Sequence, residues 1–417
     1  MRIVFLSTFD SYGGAAIAAT RLMEALRKEN CHIKMIVRDR QSCDPNITSI
    51  NNSLISKEIN WLRFASERFI IYLQNGLNRT NLFKVSIANT GIDLSRHPII
   101  QNADIIHLHW INQGFLSLRG IDKLRKTGKP LVWTMHDMWP ITGICHHAWM
   151  CEKYSQECGE CPLLNSKERF DLSFHVLKEK QRLFESNINL VSVSSWLKRK
   201  AIVSTIAREK SVMVIPNVID WTMFRPLDRA AARRKFSFPL DKKIVIMGAA
   251  CIDDPVKGFL FLKKALNKLS TRSADFILVL LGRIKKDDIL SGVLFPVIQL
   301  GFRSDFSEIA QLYSAADVNV VPSFYETFGQ TIIEAMACGC PTVSFGNSGQ
   351  ADVIDHKENG YIAAYKDADD LAAGIDWVLN KADRDELSRN ARRKVEENYS
   401  EAIVAKQYIQ LYRSLLK

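Results

Sequence analysis

The stretch Val318-Asn319-Val320-Val321-Pro322-Ser323-Phe324-Tyr325-Glu326-Thr327-Phe328-Gly329-Gln330-Thr331-Ile332-Ile333-Glu334-Ala335-Met336-Ala337 reads as a strand, a tight turn and the start of a helix. The apolar, Val-rich run predicts a strand over Val318 to Pro322, and Gly329 marks the entry to the helix. In an all-parallel sheet such a turn lies at the carboxyl edge, where ligands of open α/β folds bind. Backbone N–H groups at the helix start suit phosphate oxygens, because the helix dipole is positive there.

The same alternation recurs on both sides of this unit. In the second half the spacing predicts further strands at Lys243 to Gly248, Asp275 to Gly282, Val297 to Gly301 and Pro341 to Phe345. In the first half it predicts them at Arg2 to Ser7, His32 to Arg38, Asp104 to His109, Leu131 to His136, Asn189 to Ser194 and Met213 to Pro216, with a helix at Ala15 to Lys28. Short Val- and Ile-rich runs separated by helical stretches are the βαβ pattern of parallel sheets buried on both faces. At 417 residues the chain exceeds what one hydrophobic core usually serves. The expected class is therefore α/β, with two doubly wound Rossmann-like domains facing a central cleft: an acceptor-side domain over 1–220 and a donor-binding domain over 221–399. The segment 400–417 reads as a final helix, apolar at Ile403, Val404, Tyr408, Leu411 and Leu415, which needs a surface to cover and is expected to pack back on the first domain.

An apolar content of 47% and a charged content of 24% describe an ordinary globular protein and exclude a disordered or fibrous one. No apolar run approaches the roughly 18 residues needed to cross a bilayer. Met1 to Leu6 runs directly into a strand-like segment without a basic leader, so a cytoplasmic location is expected, with the nine cysteines as thiols or metal ligands before disulfides. The net charge of +11 implies an anionic partner: nucleic acid, an acidic membrane surface or a phosphorylated ligand. Against nucleic acid, the basic residues are spread along the chain and no recognition motif is present. Ile55 to Leu77 interrupts the strand pattern with a helix that interleaves Trp61, Phe64, Phe69, Ile70 and Tyr72 with Lys57, Arg63 and Arg68. A helix packed on its own domain is the preferred reading; a basic helix lying on anionic lipid, peripheral at the inner membrane surface, is the alternative.

Glu326 precedes the Gly329 turn and Glu334 follows it on the helix, so both are expected to face one crevice. A carboxylate accepts paired hydrogen bonds, and each is suited to hold a vicinal pair of hydroxyls on ribose or a hexose. This segment resembles the donor-binding signature of retaining glycosyltransferase family 4, with the two-domain GT-B fold. The resemblance implies that Glu334 binds donor ribose hydroxyls and Glu326 the hydroxyls of the transferred sugar, with Thr327, Phe328, Gly329, Thr331 and Phe302 also on the donor. It further implies that Lys257, followed by Gly258, neutralises the pyrophosphate as the leaving group departs. Cys251 stands where the family often has an arginine, which shifts the load to Lys257, backbone amides and Arg283. By the same resemblance Gly13 and Gly14, between the first strand and its helix, meet the donor phosphates or the acceptor, and His136 lies near the reacting sugar with Asp137 orienting its loop. The runs His107-Leu108-His109-Trp110-Ile111 and His136-Asp137-Met138-Trp139 resemble the colanic-acid-type branch, which builds surface polysaccharides.

The implied activity is transfer of a sugar, with retention, from a nucleotide-diphosphate sugar to a glycan or lipid-linked glycan acceptor, without a catalytic metal. Alternatives are a sugar-nucleotide epimerase of the same fold and a non-catalytic nucleic-acid or regulatory binding protein. Cys145, Cys151, Cys158 and Cys161 form a separate cluster ending in Cys-Gly-Glu-Cys, read first as a structural zinc site, with His146 or His147 as substitute ligands. Free thiols and a redox disulfide are the other readings.

Overall fold

The computed structural model describes residues 1–417 apart from 167, 186 and 272–274. The chain divides into two compact units, Met1–Ile215 with Ala405–Lys417, and Pro216–Val404.

In the first unit seven strands form one sheet: β1 (Arg2–Phe9), β2 (His32–Asp39), β3 (Ile47–Ser49), β4 (Ile105–Leu108), β5 (Leu131–Met135), β6 (Ile188–Ser192) and β7 (Val212–Val214). Their order is β3-β2-β1-β4-β5-β6-β7 and every pairing is parallel. Helix α1 (Gly14–Lys28) crosses from β1 to β2, and its apolar stripe of Leu22, Met23 and Leu26 is buried. A second helix, α2 (Leu54–Gln74), follows β3 and starts at a Ser53 capping box. The C-terminal helix Glu401–Leu415 begins in the second unit and continues into the first, where Tyr408 and Tyr412 are buried.

The second unit contains β8 (Lys243–Cys251), β9 (Phe276–Arg283), β10 (Val297–Gly301), β11 (Val318–Val321), β12 (Thr342–Phe345) and β13 (Gly360–Ala363), all parallel, in the order β10-β9-β8-β11-β12-β13. Its core joins Val245, Leu278, Val320, Val343 and Phe345 of the sheet to Leu262, Leu266 and Leu371 of the covering helices. The strand order reverses between β1 and β4 in one sheet and between β8 and β11 in the other. At such a reversal the flanking helices leave on opposite faces, opening a crevice at the carboxyl edge. Both sheets are thus doubly wound and Rossmann-like, and each reversal marks where a ligand site belongs. Among the described residues no helix is long and apolar enough to cross a membrane.

Candidate functional site

In the second unit the crevice is framed by the loops after β8, β11 and β12. The loop after β8 ends in a single 3-10 turn, Pro255–Lys257, started by Asp254, whose carboxylate accepts the Val256 N–H at 3.0 Å. Gly258 then takes φ +71 so that the chain can enter helix Phe259–Ser270. A Cβ there would lie 1.9 Å from the Pro322 carbonyl oxygen, so the β8 and β11 loops touch backbone to backbone. Phe324 N–H donates to Val256 O at 2.8 Å and fixes that contact.

Lys257 and Glu326 come from these two loops and meet at 2.8 Å, Nζ donating to Oε1. Both side chains keep access to solvent. Burial alone would lower the Lys257 pKa, but the Glu326 charge and hydrogen bond outweigh it and hold the ammonium above its ordinary value. The backbone of Glu326 is clamped from the other side: its N–H donates to Ser348 Oγ at 3.0 Å and its carbonyl accepts the Gly349 N–H at 2.8 Å. Asn347 Nδ2 donates to Phe324 O at 2.6 Å, and Gln350 Nε2 to Ser323 O at 3.2 Å. A Cβ at Gly349 would stand 2.1 Å from the Thr327 carbonyl oxygen, so this position takes glycine for close approach. Residues 347–350 are the part of the site that sequence reasoning missed; the signal was a glycine-containing turn, Gly346-Asn347-Ser348-Gly349, directly after a strand.

Helix Gln330–Ala337 starts at Gly329, with φ +106 and no side-chain cap. The Ile332 N–H turns back to the Gly329 carbonyl at 3.1 Å, and the positive end of the helix dipole faces this edge. Glu334 sits one turn into this helix and is buried, whereas Glu326 is partly exposed. The expected roles of Thr327 and Thr331 fall on partly exposed residues flanking that start. Phe328 is a correction: its ring is buried against Tyr399, centroids 5.4 Å apart and edge-on, so only its backbone is left for a ligand. Phe302, after β10, is half-exposed, and the Arg283 guanidinium lies 4.9 Å from its ring centroid. Arg283 is the register partner of Cys251 across the β8–β9 ladder. The guanidinium that the β8 edge lacks is therefore present one strand away.

In the first unit the crevice between β1 and β4 is bordered by Gly13 and Gly14. Gly13 has φ +89, and a Cβ at either glycine would meet nothing within 4 Å, so the start of α1 is open. Strand β4 and the loops after β4 and β5 carry a histidine array, buried at His107 and His109 and half-buried at His136. His107 bonds Tyr412 Oη at 2.7 Å through Nδ1 and Thr134 Oγ1 at 2.8 Å through Nε2. His109 Nδ1 is 3.0 Å from His136 Nε2, and the two rings stack with centroids 5.3 Å apart. Burial pulls all three imidazoles below their ordinary pKa, His136 to about 4, so they are neutral at pH 7. Asp137 ties the loop together: Oδ1 accepts the Trp139 N–H at 2.8 Å, and Oδ2 accepts Trp110 Nε1–H at 2.9 Å and bonds His146 Nδ1 at 2.6 Å. Burial alone would raise its pKa, yet the His146 contact and the Trp139 N–H hold it at about 2. Lys180, also unforeseen, is buried beneath the loop. Its ammonium donates to the carbonyls of Trp139, Thr142 and Gly143 and lies 3.4 Å from the Trp139 ring centroid.

The structure brings the four cysteines of the expected zinc site together. Cys145, Cys151, Cys158 and Cys161 line one small cavity and all are free thiols. Among the described residues no three Cys, His, Asp or Glu side chains group as a metal site. Burial pushes three of these thiols up, Cys145 to about 12 and Cys158 and Cys161 to about 11. His146 is committed to Asp137 and to Ser86, 3.0 Å from its Nε2, and is not a substitute ligand.

Comparison with known proteins points the same way as the geometry. Residues 228–394, nearly all of the second unit, match the family described as "Glycosyl transferases group 1". An uncharacterized glycosyltransferase of Methanocaldococcus jannaschii is 29% identical over 367 residues, covering 82% of this chain and 92% of that one. The capsular polysaccharide biosynthesis glycosyltransferase CapM of Staphylococcus aureus is 26% identical over 254 residues, 58% of this chain and 65% of CapM. Among solved structures, Anabaena HepE in complex with UDP-glucose superposes with a TM-score of 0.67 at 16% identity, covering 99% of this chain and 100% of that one. That likeness is one of fold.

Proposed function

We propose that this chain is a retaining glycosyltransferase of the family 4, colanic-acid type. In this reading it moves a sugar from a nucleotide diphosphate to a glycan or lipid-linked glycan acceptor in surface polysaccharide synthesis. The observation that carries the reading is the Lys257–Glu326 pair, set at the strand-order reversal of the second sheet beside an uncapped helix start. A cation, a carboxylate and the positive end of a helix dipole at one edge are the groups a sugar diphosphate needs. The group 1 family match and the polysaccharide role in CapM's name support it, as does the UDP-glucose held by the HepE structure.

Without donor, Lys257 and Glu326 satisfy each other. With donor, the diphosphate takes over the ammonium and the sugar hydroxyls take over the carboxylate, so neither charge is left bare. Glu334 is assigned to the ribose hydroxyls, and the Gly329 helix start with Lys257 and Arg283 to the diphosphate. The acceptor oxygen bonds to the anomeric carbon on the face the leaving group departs from. The carbon–oxygen bond to the β-phosphate breaks, and the acceptor's proton passes to the departing phosphate oxygen. That oxygen is the base, so no further carboxylate is required. Negative charge grows on the phosphate as the bond breaks, and Lys257 and the helix N–H groups stabilise it more in the transition state than in the ground state. In the first unit the same reading assigns His136 a neutral hydrogen-bonding role, fixed by His109.

Lys257→Ala and Glu326→Ala are expected to lower transfer at least about a hundredfold while leaving the circular dichroism spectrum unchanged. Full activity in either folded variant contradicts the proposal. Release of an isomerised donor without acceptor favours the epimerase instead.

A further inference from the structure

Helix α2 is built inside out. Its inward face is largely polar: Asn60, Glu67 and Arg68 are buried there, together with Ile71. Glu67 Oε1 accepts the N–H groups of Ile87 and Ala88 at 2.8 and 2.9 Å and its other oxygen pairs with Arg68 at 3.0 Å, while Arg68 Nη1 donates to Val85 O at 2.8 Å. The helix is thus anchored on the following loop by Glu67 and Arg68, with Ile71 buried beside them. Its apolar stripe points away, at Ile55, Ile59, Leu62, Phe69 and Leu73, spaced so that all share one face. Exposure along this stripe runs from 43% at Ile59 to 72% at Ile55, and Leu54 and Trp61 extend it on one side. Phe83, 71% exposed, stands beside the helix with its ring 6.4 Å from that of Phe64.

We infer that this face docks the first unit onto an anionic lipid bilayer. The inference does not depend on the glycosyltransferase reading. Two features choose lipid over a partner helix. The apolar arc, widened by Leu54 and Trp61, exceeds the narrow seam that a second helix covers. Exposed Lys57, Arg79 and Lys84 lie on or next to the helix, with Glu58 the acid on its exposed side, which suits an acidic surface rather than the mixed charges of a helix pair. The net charge of +11 acts in the same direction.

The full-length protein is expected to float with vesicles of phosphatidylglycerol mixed with phosphatidylcholine, to bind pure phosphatidylcholine vesicles far less, and to detach as salt is raised. Leu62→Glu and Phe69→Glu are each expected to weaken that binding about tenfold or more. Both positions are exposed, so thermal melting and donor binding should be unchanged, and donor binding keeps this test separate from that of the active site. Equal flotation of wild type and Leu62→Glu overturns the inference. A dimer in sedimentation equilibrium that Leu62→Glu dissociates also overturns it, by assigning the face to self-association.

Discussion

Two residues, Lys257 and Glu326, meet although 69 positions separate them in the chain. Their chemistry was legible because each sits in a recognisable turn after an apolar run. Arg283 was legible only as a nearby cation; its register with Cys251 across β8 and β9 is what gives it weight. If the guanidinium has moved one strand over, Arg283→Gln should raise the donor KM about tenfold, and adding Cys251→Arg should recover most of the loss. No change in KM for Arg283→Gln would remove it from the site. The histidines supply a second test at this scale. His136 titrates near 4 in the fold against an ordinary value of 6.5, so between those values the unfolded chain binds a proton that the folded chain does not. Stability from His136 is therefore complete above pH 6.5 and falls as pH drops toward 4, by roughly 3 kcal/mol, with His107 and His109 adding in the same direction. Urea unfolding at pH 7 and at pH 4.5 measures it, and equal midpoints would contradict buried neutral imidazoles.

Elements were legible in proportion to their burial. The strands β1, β2, β4 to β6 and β8 to β12 are built around Val-, Ile- and Leu-rich runs, and all were found within a few residues of their ends. The edge strands β3 and β13 were missed, because Ile47-Thr48-Ser49 and Gly360-Tyr361-Ile362-Ala363 each hold a single large aliphatic residue, among small and polar ones and, in the second, a tyrosine. For α2 the sequence showed aromatic and basic residues together, but not that Asn60 and Glu67 turn inward, which depends on Asn51 meeting the one and the Ile87 and Ala88 N–H groups the other. Loop contacts were the least legible, since Lys180 and Ser348 are single polar residues without a pattern. Lys180→Met removes a donor from three carbonyls, of which Trp139 O keeps the Thr142 N–H at 3.4 Å, and should cost about 3 kcal/mol. Differential scanning calorimetry reads this as a lowered Tm; an unchanged Tm would mean that the ammonium does not hold the loop.

Across the whole molecule one chain repeats one device: a parallel sheet whose strand order reverses beside β1 and again beside β8. Both reversals carry glycines at a helix start, Gly13 in one unit and Gly329 in the other, each with φ in the left-handed region. The sequence predicted this architecture because alternating apolar runs and helices leave few topologies open. The second reversal carries the Lys257–Glu326 pair, and the donor is assigned there. A ligand that binds only the native state raises the melting temperature. The most direct measurement is thus thermal unfolding with UDP-, GDP- and ADP-sugars, for the wild type and for Glu334→Ala. One nucleotide class should raise the wild-type Tm by several degrees at saturating concentration and leave Glu334→Ala unmoved. No shift with any sugar nucleotide, or an equal shift in both proteins, would contradict a donor site at this edge.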